Sequence, residues 1–156
     1  MSSGFIFIRQ NFIFSVKTYI IAFYNLGKVK DIRCEVVIVT NMLDDVKEGY
    51  LCVVSNLKVD TAILNYNEIG GCLSFIDFMC ENILTTDPPH SVNYTEIIYE
   101  TSDNVKGCAY YSENSLEWRV RIDYPYIFVC DFNNQSLSSL YKMMQRAQTM
   151  IAKKVQ

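Results

Sequence analysis

The sequence has few of the residues from which most active sites and metal sites are built. Its single histidine, His90, follows two prolines in a segment that we expect to be an exposed loop. A loop histidine without an identifiable partner more often faces solvent than acts as a general base. The chain also has no CxxC pair, whereas structural zinc sites draw their ligands from closely spaced cysteines and histidines. We therefore predict a protein that is not an enzyme, with no catalytic and no metal-binding residues.

Phosphate-binding loops are missing as well. A P-loop needs a further glycine ahead of its Gly-Lys pair, and Ala22 occupies that place before Gly27-Lys28. The pair Gly70-Gly71 lacks the third glycine of a dinucleotide-binding fingerprint, so a turn or the start of a helix is the simpler interpretation. We predict that the protein uses no cofactor.

The cysteines and the N-terminus bear on the compartment. Six cysteines stand mostly inside apolar runs, at positions 34, 52, 72, 80, 108 and 130, which is typical of reduced, buried thiols. Polar residues such as Arg9 and Lys17 interrupt the N-terminal apolar stretch, and it has no clear cleavage site for a signal peptide. We expect an intracellular protein, cytoplasmic or nuclear. Residues 12–24 fall short of the ~20 residues of a membrane span, so we expect a buried strand pair or core segment there.

Composition indicates a folded chain. Half of the 156 residues are apolar and only 20% are charged, which is too apolar for a disordered protein. A chain of this length is the usual size of one domain and can bury a core without disulfides. We predict one domain over residues 1–156.

The second half predicts a four-strand antiparallel meander, because short connections separate its strand-like segments. The four segments are residues 94–101, 107–111, 116–122 and 126–130. The third has a strict period of two, in which Leu116, Trp118, Val120 and Ile122 alternate with charged residues.

Two helices are expected. Residues 73–84 form a mid-chain helix that starts from Gly70-Gly71 and ends before Asp87-Pro88-Pro89, although a strand would also suit its apolar residues. A C-terminal amphipathic helix follows Asn133 or Asn134, either of which can cap it. Its apolar residues recur every three or four positions: Leu137, Leu140, Tyr141, Met144, Ala147 and Ile151.

The secondary structure of the first half is harder to predict from the sequence. Residues 34–40 are predicted to form a strand covered on both faces, residues 50–59 a second strand, and residues 5–24 two strands around Gln10 and Asn11.

The fold class is therefore α+β with a mainly antiparallel sheet. A meander that ends in a C-terminal helix is similar to the pleckstrin-homology-like arrangement, over residues 94–156 alone. The sequence shows no defined basic loop for phosphoinositides, so lipid recognition is not expected to accompany that order of elements.

The C-terminal helix is also the expected contact surface. Met143 and Met150 flank its apolar stripe and widen the band, and methionine suits adaptable contacts. The residues expected to bind a partner are Leu140, Met143, Met144, Ala147, Met150 and Ile151. The competing interpretation is that this face closes the sheet and does nothing more. We predict a non-enzymatic protein–protein interaction module, such as an adaptor or a small-complex subunit, whose partner is another protein or a second copy.

Charge leaves one alternative open, a single-stranded nucleic-acid binding domain. Arg119 and Arg121 share a strand face in a chain rich in aromatic residues, and they could hold phosphates beside stacked bases. Residues 34–131 carry 5 basic and 16 acidic side chains, so repulsion of nucleic acid is expected there. Pairing of the two arginines with Glu96, Glu100 or Glu113 is the competing interpretation.

Beyond Asp131 the chain has no acidic residue and four cations, which would suit an acidic partner or neutralise the acidic middle of the chain.

Overall fold

A computed structural model describes residues 5–9, 12–55, 61–88, 94–112, 117–125 and 131–156. The first half consists of strands β1 (Phe5–Arg9), β2 (Phe12–Val16), β3 (Tyr19–Val29), β4 (Ile32–Asn41), β5 (Lys47–Ser55) and β6 (Thr61–Leu64). Helix α1 (Tyr66–Phe78) follows and continues into a π-helical turn, Met79–Ile83. The second half consists of β7 (Tyr94–Glu100), β8 (Lys106–Ser112), β9 (Arg119–Tyr124) and helix α2 (Asn134–Val155).

The α+β class and the antiparallel pairing are confirmed, but the predicted place of the four-strand meander is wrong. The four strands β3-β4-β5-β6 form that meander in the N-terminal half, and β7-β8-β9 form a three-stranded sheet. The predicted fourth strand, residues 126–130, lies outside the described residues. The pleckstrin-homology-like order required four strands in the second half, and the described residues there provide three. A period of two identifies a strand only where one face of its sheet meets solvent. In β4 the successive residues Val36, Val37 and Ile38 are all buried, so this strand has no alternation by which the sequence could identify the meander.

Helix α1 begins at Tyr66, earlier than the expected start at residue 73. The side chain of Asn65 accepts a hydrogen bond from the Glu68 backbone N–H, and the Glu68 carboxylate accepts one from the Asn65 N–H. This capping box satisfies two groups at the helix start. The pair Gly70-Gly71 therefore lies inside the helix and does not start it. At Gly71 an added Cβ would lie 2.6 Å from Val105 Cγ2, so the glycine allows a close approach to the loop between β7 and β8.

Helix α2 is present where the sequence placed it. Asn133 is its N-cap and accepts from the Ser136 N–H at 2.8 Å. Its apolar side packs on the face of the four-stranded sheet that we call the inner face, where Leu51, Leu64 and Val36 are fully buried. Neither described helix combines the length and the apolar character that crossing a bilayer requires.

Helix α1 joins the two sheets into one buried apolar cluster. On the side of the three-stranded sheet, the Phe78 ring stacks on Tyr99 with centroids 3.6 Å apart. On the side of α2, the Tyr141 hydroxyl donates to Asp77 Oδ2 at 3.2 Å. The start of α2 is tied to the second sheet through a bridge between Phe132 and Val120.

Strand β3 departs from expectation most clearly. Residues 12–24 were predicted to be buried, yet Tyr19, Ile20, Ile21 and Phe23 are each about half exposed or more, from 48% to 63%. The physical reason is position, because β3 is the first strand in the order β3-β4-β5-β6 and pairs only with β4 among the described strands. A β-bulge follows at Asn25 to Gly27, where Gly27 has a φ of 113°, and it lets Leu26 turn into the core.

Candidate functional site

The structure places most of the residues expected to bind a partner in the core of the monomer. Leu140, Met144 and Ala147 are fully buried, Ile151 is 3% exposed and Met143 is 8% exposed. Met143 reaches toward the bulge of β3, since its Cε would lie 3.7 Å from a Cβ on Gly27. Of the six residues, Met150 alone is half-buried and reaches the surface. The apolar side of α2 is thus occupied by its own sheet, and its accessible side is polar.

Beside that helix lies an open groove of about 1140 Å³, formed between α2 and the inner face of strands β3 and β4. Its floor consists of Ala22, Tyr24, Ile38 and Thr40. Register explains the floor, because Ala22 pairs with Ile38, and Tyr24 and Thr40 lie two positions from that pair on the same face of the sheet.

The walls of the groove are cationic. Five of the lining residues are basic and none is acidic: Lys47, Lys142, Arg146, Lys153 and Lys154. We call this set, together with the floor, the basic groove. Three exposed members, Lys47, Lys142 and Lys153, form no ion pair with the described residues. Their charge is therefore available to a ligand.

The other two cations are held against the sheet. Lys154 Nζ lies 4.3 Å from the centroid of the Tyr24 ring, a distance at which the ring attracts a cation. The Arg146 guanidinium donates through Nη1 to the Leu26 carbonyl at 3.4 Å. These contacts fix the cationic wall relative to its floor.

Sequence reasoning found part of this site. The concentration of cations beyond Asp131, with no acid among them, was the signal for the wall contributed by α2. Lys47 and Tyr24 were missed, because nothing local marks them. They become part of one site only when β5 and β3 are brought beside the C-terminal helix.

The arginines proposed for nucleic acid lie on β9 and are engaged with carboxylates. Arg121 Nε donates to Asp123 Oδ1 at 2.6 Å, and Arg121 Nη2 lies 3.7 Å from Glu96 Oε1 on β7. The hydrogen bond to Asp123 is the main reason why the pKa of Arg121 is raised. Arg119 Nη1 lies 4.0 Å from Glu117 Oε1. The cross-strand pair with Glu96 is as expected, and a phosphate would have to compete with these carboxylates.

The described thiols resemble core residues rather than nucleophiles. Cys34, Cys72 and Cys108 are buried, and none of the five described cysteines forms a disulfide. Desolvation by burial raises the pKa of the Cys72 thiol to about 12, so it is protonated at neutral pH. His90 and Cys130 lie outside the described residues, which hold no group of three or more His, Cys, Asp or Glu side chains suited to a metal ion.

A second surface of note is the outer face of the four-stranded sheet, opposite α2. Tyr19, Ile21 and Phe23 of β3 and Ile63 of β6 are exposed there, by 47% to 63%.

Comparison of the chain with protein-family models, with curated proteins and with solved structures gives no match.

Proposed function

We propose that this protein is a non-enzymatic interaction module, an adaptor or small-complex subunit, that binds an acidic segment of a partner protein along the exposed side of α2. The observation that carries the proposal is the basic groove, with its five cations and no carboxylate in its lining. Its floor is apolar at Ala22 and Ile38, with Met150 on the helix side. Apolar surface edged by cations matches a chain segment that alternates acidic and aliphatic side chains.

A protein segment fits this groove better than single-stranded nucleic acid does. Proteins that bind single strands hold the bases on open aromatic faces. The groove has one aromatic ring, Tyr24, and Lys154 already lies over it. The chain also carries a net charge of −3, which disfavours the approach of a long polyanion more than that of a short acidic segment.

The test uses a fluorescent peptide of alternating glutamate and leucine, with a lysine-leucine peptide of equal length and an oligothymidylate as comparison ligands. The wild-type chain is expected to bind the acidic peptide, and higher salt should weaken that binding because screening acts on the cationic wall. Reversing three wall charges together, Lys142→Glu, Arg146→Glu and Lys153→Glu, should weaken it by about tenfold or more.

The matched control reverses three exposed cations outside the groove, Lys28→Glu, Arg33→Glu and Lys106→Glu. Both triple variants change the net charge equally, so a difference between them reports the groove and not long-range attraction. The proposal is overturned if the two variants lose the same affinity, if the acidic peptide binds no better than the basic one, or if oligothymidylate binds more tightly than either.

A further inference from the structure

We infer that strand β3 is a self-association edge, through which two copies of this chain join their four-stranded sheets into one sheet of eight strands. The inference is independent of the acidic ligand proposed above, since it uses the edge and the exposed apolar residues of β3. It begins from the order β3-β4-β5-β6, which leaves the backbone groups along one side of β3 without a strand partner among the described residues.

Edge strands normally carry features that block such pairing, including charges, prolines, bulges or a very short length. Strand β3 is long, Tyr19–Val29, and its bulge and Lys28 protect only its last third. From Tyr19 to Asn25 it has no charge, no proline and no glycine. The opposite edge of the same sheet, β6, has four residues and offers a much poorer template.

The unprotected segment is complementary to itself. When two copies pair antiparallel with Ala22 on the two-fold axis, Ile21 of one copy lies opposite Phe23 of the other. Ile20 then lies opposite Tyr24 on the other face. Pairs of an aromatic and a β-branched residue are among the more favourable cross-strand neighbours, and no like charges meet in this register.

The exposed apolar surface along β3 contributes to such an interface. The exposed fractions of Tyr19, Ile20, Ile21 and Phe23 correspond to about 400 Å² of apolar surface, taking about 200 Å² for each whole side chain. A stable interface buries about 800 Å² on each partner, somewhat over half of it apolar. A partner strand lies beside β3 in the plane of the sheet and covers the flanks of these side chains, so the backbone hydrogen bonds of the new strand pair supply the rest of the interface.

The pairing also has a consequence for the cationic helices. A two-fold axis perpendicular to the sheet keeps both copies of α2 on the same side, so the two basic grooves adjoin over the shared strands. Their like charges oppose association at low ionic strength, and added salt should therefore strengthen the dimer. Salt is expected to have the opposite effect on the binding of an acidic peptide.

Sedimentation velocity across a wide dilution series tests the dimer. The wild-type chain should approach twice the monomer mass as concentration rises. Ile21→Lys and Phe23→Glu should each weaken self-association by at least about tenfold, because each places a charge against an apolar residue of the other copy. Both side chains are more than half exposed, so the monomer should keep its thermal unfolding temperature. The matched control is Ile63→Lys, the same type of change on the far edge strand, which should leave the dimer intact.

Mixing the two variants examines the register itself. In a mixed dimer the introduced lysine lies opposite the introduced glutamate, while the other cross-strand pair remains Ile21 with Phe23. An equal mixture should thus recover the dimer that neither variant forms alone.

The inference is overturned if the wild type stays monomeric at every concentration, if the mixture stays monomeric, or if Ile63→Lys weakens self-association as much as Ile21→Lys does. Slow exchange, independent of concentration, of the β3 amides that point away from β4 would overturn it too, because another part of the same chain would then cover the edge. Ile21 does not line the basic groove, so we expect Ile21→Lys to keep its binding of the acidic peptide. Loss of the dimer with that binding retained would separate the two proposals.

Discussion

Lys154, near the end of the C-terminal helix, lies with its ammonium group 4.3 Å from the centre of the Tyr24 ring on β3. This contact joins residues far apart in the chain, and both of them line the basic groove. Its strength can be measured with Tyr24→Leu, Lys154→Met and the double variant. We expect a coupling free energy of about 0.5–1 kcal/mol in urea unfolding, typical of a partly exposed cation over an aromatic ring. Additive effects of the two changes would mean that the contact adds nothing to stability.

The close approach of both β9 and α1 to β8 makes Gly107 hard to replace. A Cβ at this position would collide with the carbonyl oxygen of Arg121 and lie 2.6 Å from Phe75 Cζ. We expect Gly107→Ala to lower the free energy of unfolding by about 2–4 kcal/mol, because a backbone atom cannot move aside as a side chain can.

The matched control is Gly70→Ala within α1, where the nearest atom is the flexible end of Gln148 at 3.3 Å. Alanine is the better helix former, so this change should be neutral or stabilising by up to about 1 kcal/mol. Equal destabilisation by both variants, measured by chemical denaturation, would contradict the packing described here.

A substitution at Met143 tests whether the apolar side of α2 belongs to the core or to a contact surface. It is 8% exposed, so Met143→Lys places a charge in the core and should lower the free energy of unfolding by about 3 kcal/mol or more. Gln145→Lys, at an exposed position on the same helix, should change it by less than about 0.5 kcal/mol. A folded and stable Met143→Lys protein would mean that this residue faces solvent.

The buried thiol of Cys72 should make stability fall in alkaline solution. Its pKa is raised by desolvation from 9.0 to about 12. The folded state therefore favours the neutral thiol, and this contribution is complete below pH 9.0 and is lost as pH rises toward 12. The slope from this one group is at most about 1.4 kcal/mol per pH unit.

The comparison for this effect is Cys72→Ala, which removes the thiol and leaves the tyrosines unchanged. The difference in unfolding free energy between wild type and variant should shrink as pH rises above 9.0. A constant difference across that range would show that the thiol does not titrate differently in the folded and unfolded states.

The sequence predicted secondary structure best where local chemistry decides it. Asn133 identified the start of α2, because a capping side chain acts on neighbouring amides. The alternation around Val120 and Ile122 identified β9, since one face of that strand is buried and the other is partly exposed. The start of α1 was misplaced because Gly70-Gly71 has the composition of a turn, although its backbone is helical and Gly71 serves a close contact.

By itself, the sequence determined the α+β class, the antiparallel pairing, the amphipathic C-terminal helix and the cationic character of that helix. These follow from periodicity, capping and charge, which act over a few residues. Only the tertiary structure decided that Met143 is buried while Phe23 is exposed, because both are apolar residues in apolar segments. Burial depends on what covers a face, and the element that covers it comes from a distant part of the chain. The basic groove exists for the same reason, since its floor and its walls meet only when the first sheet receives the last helix.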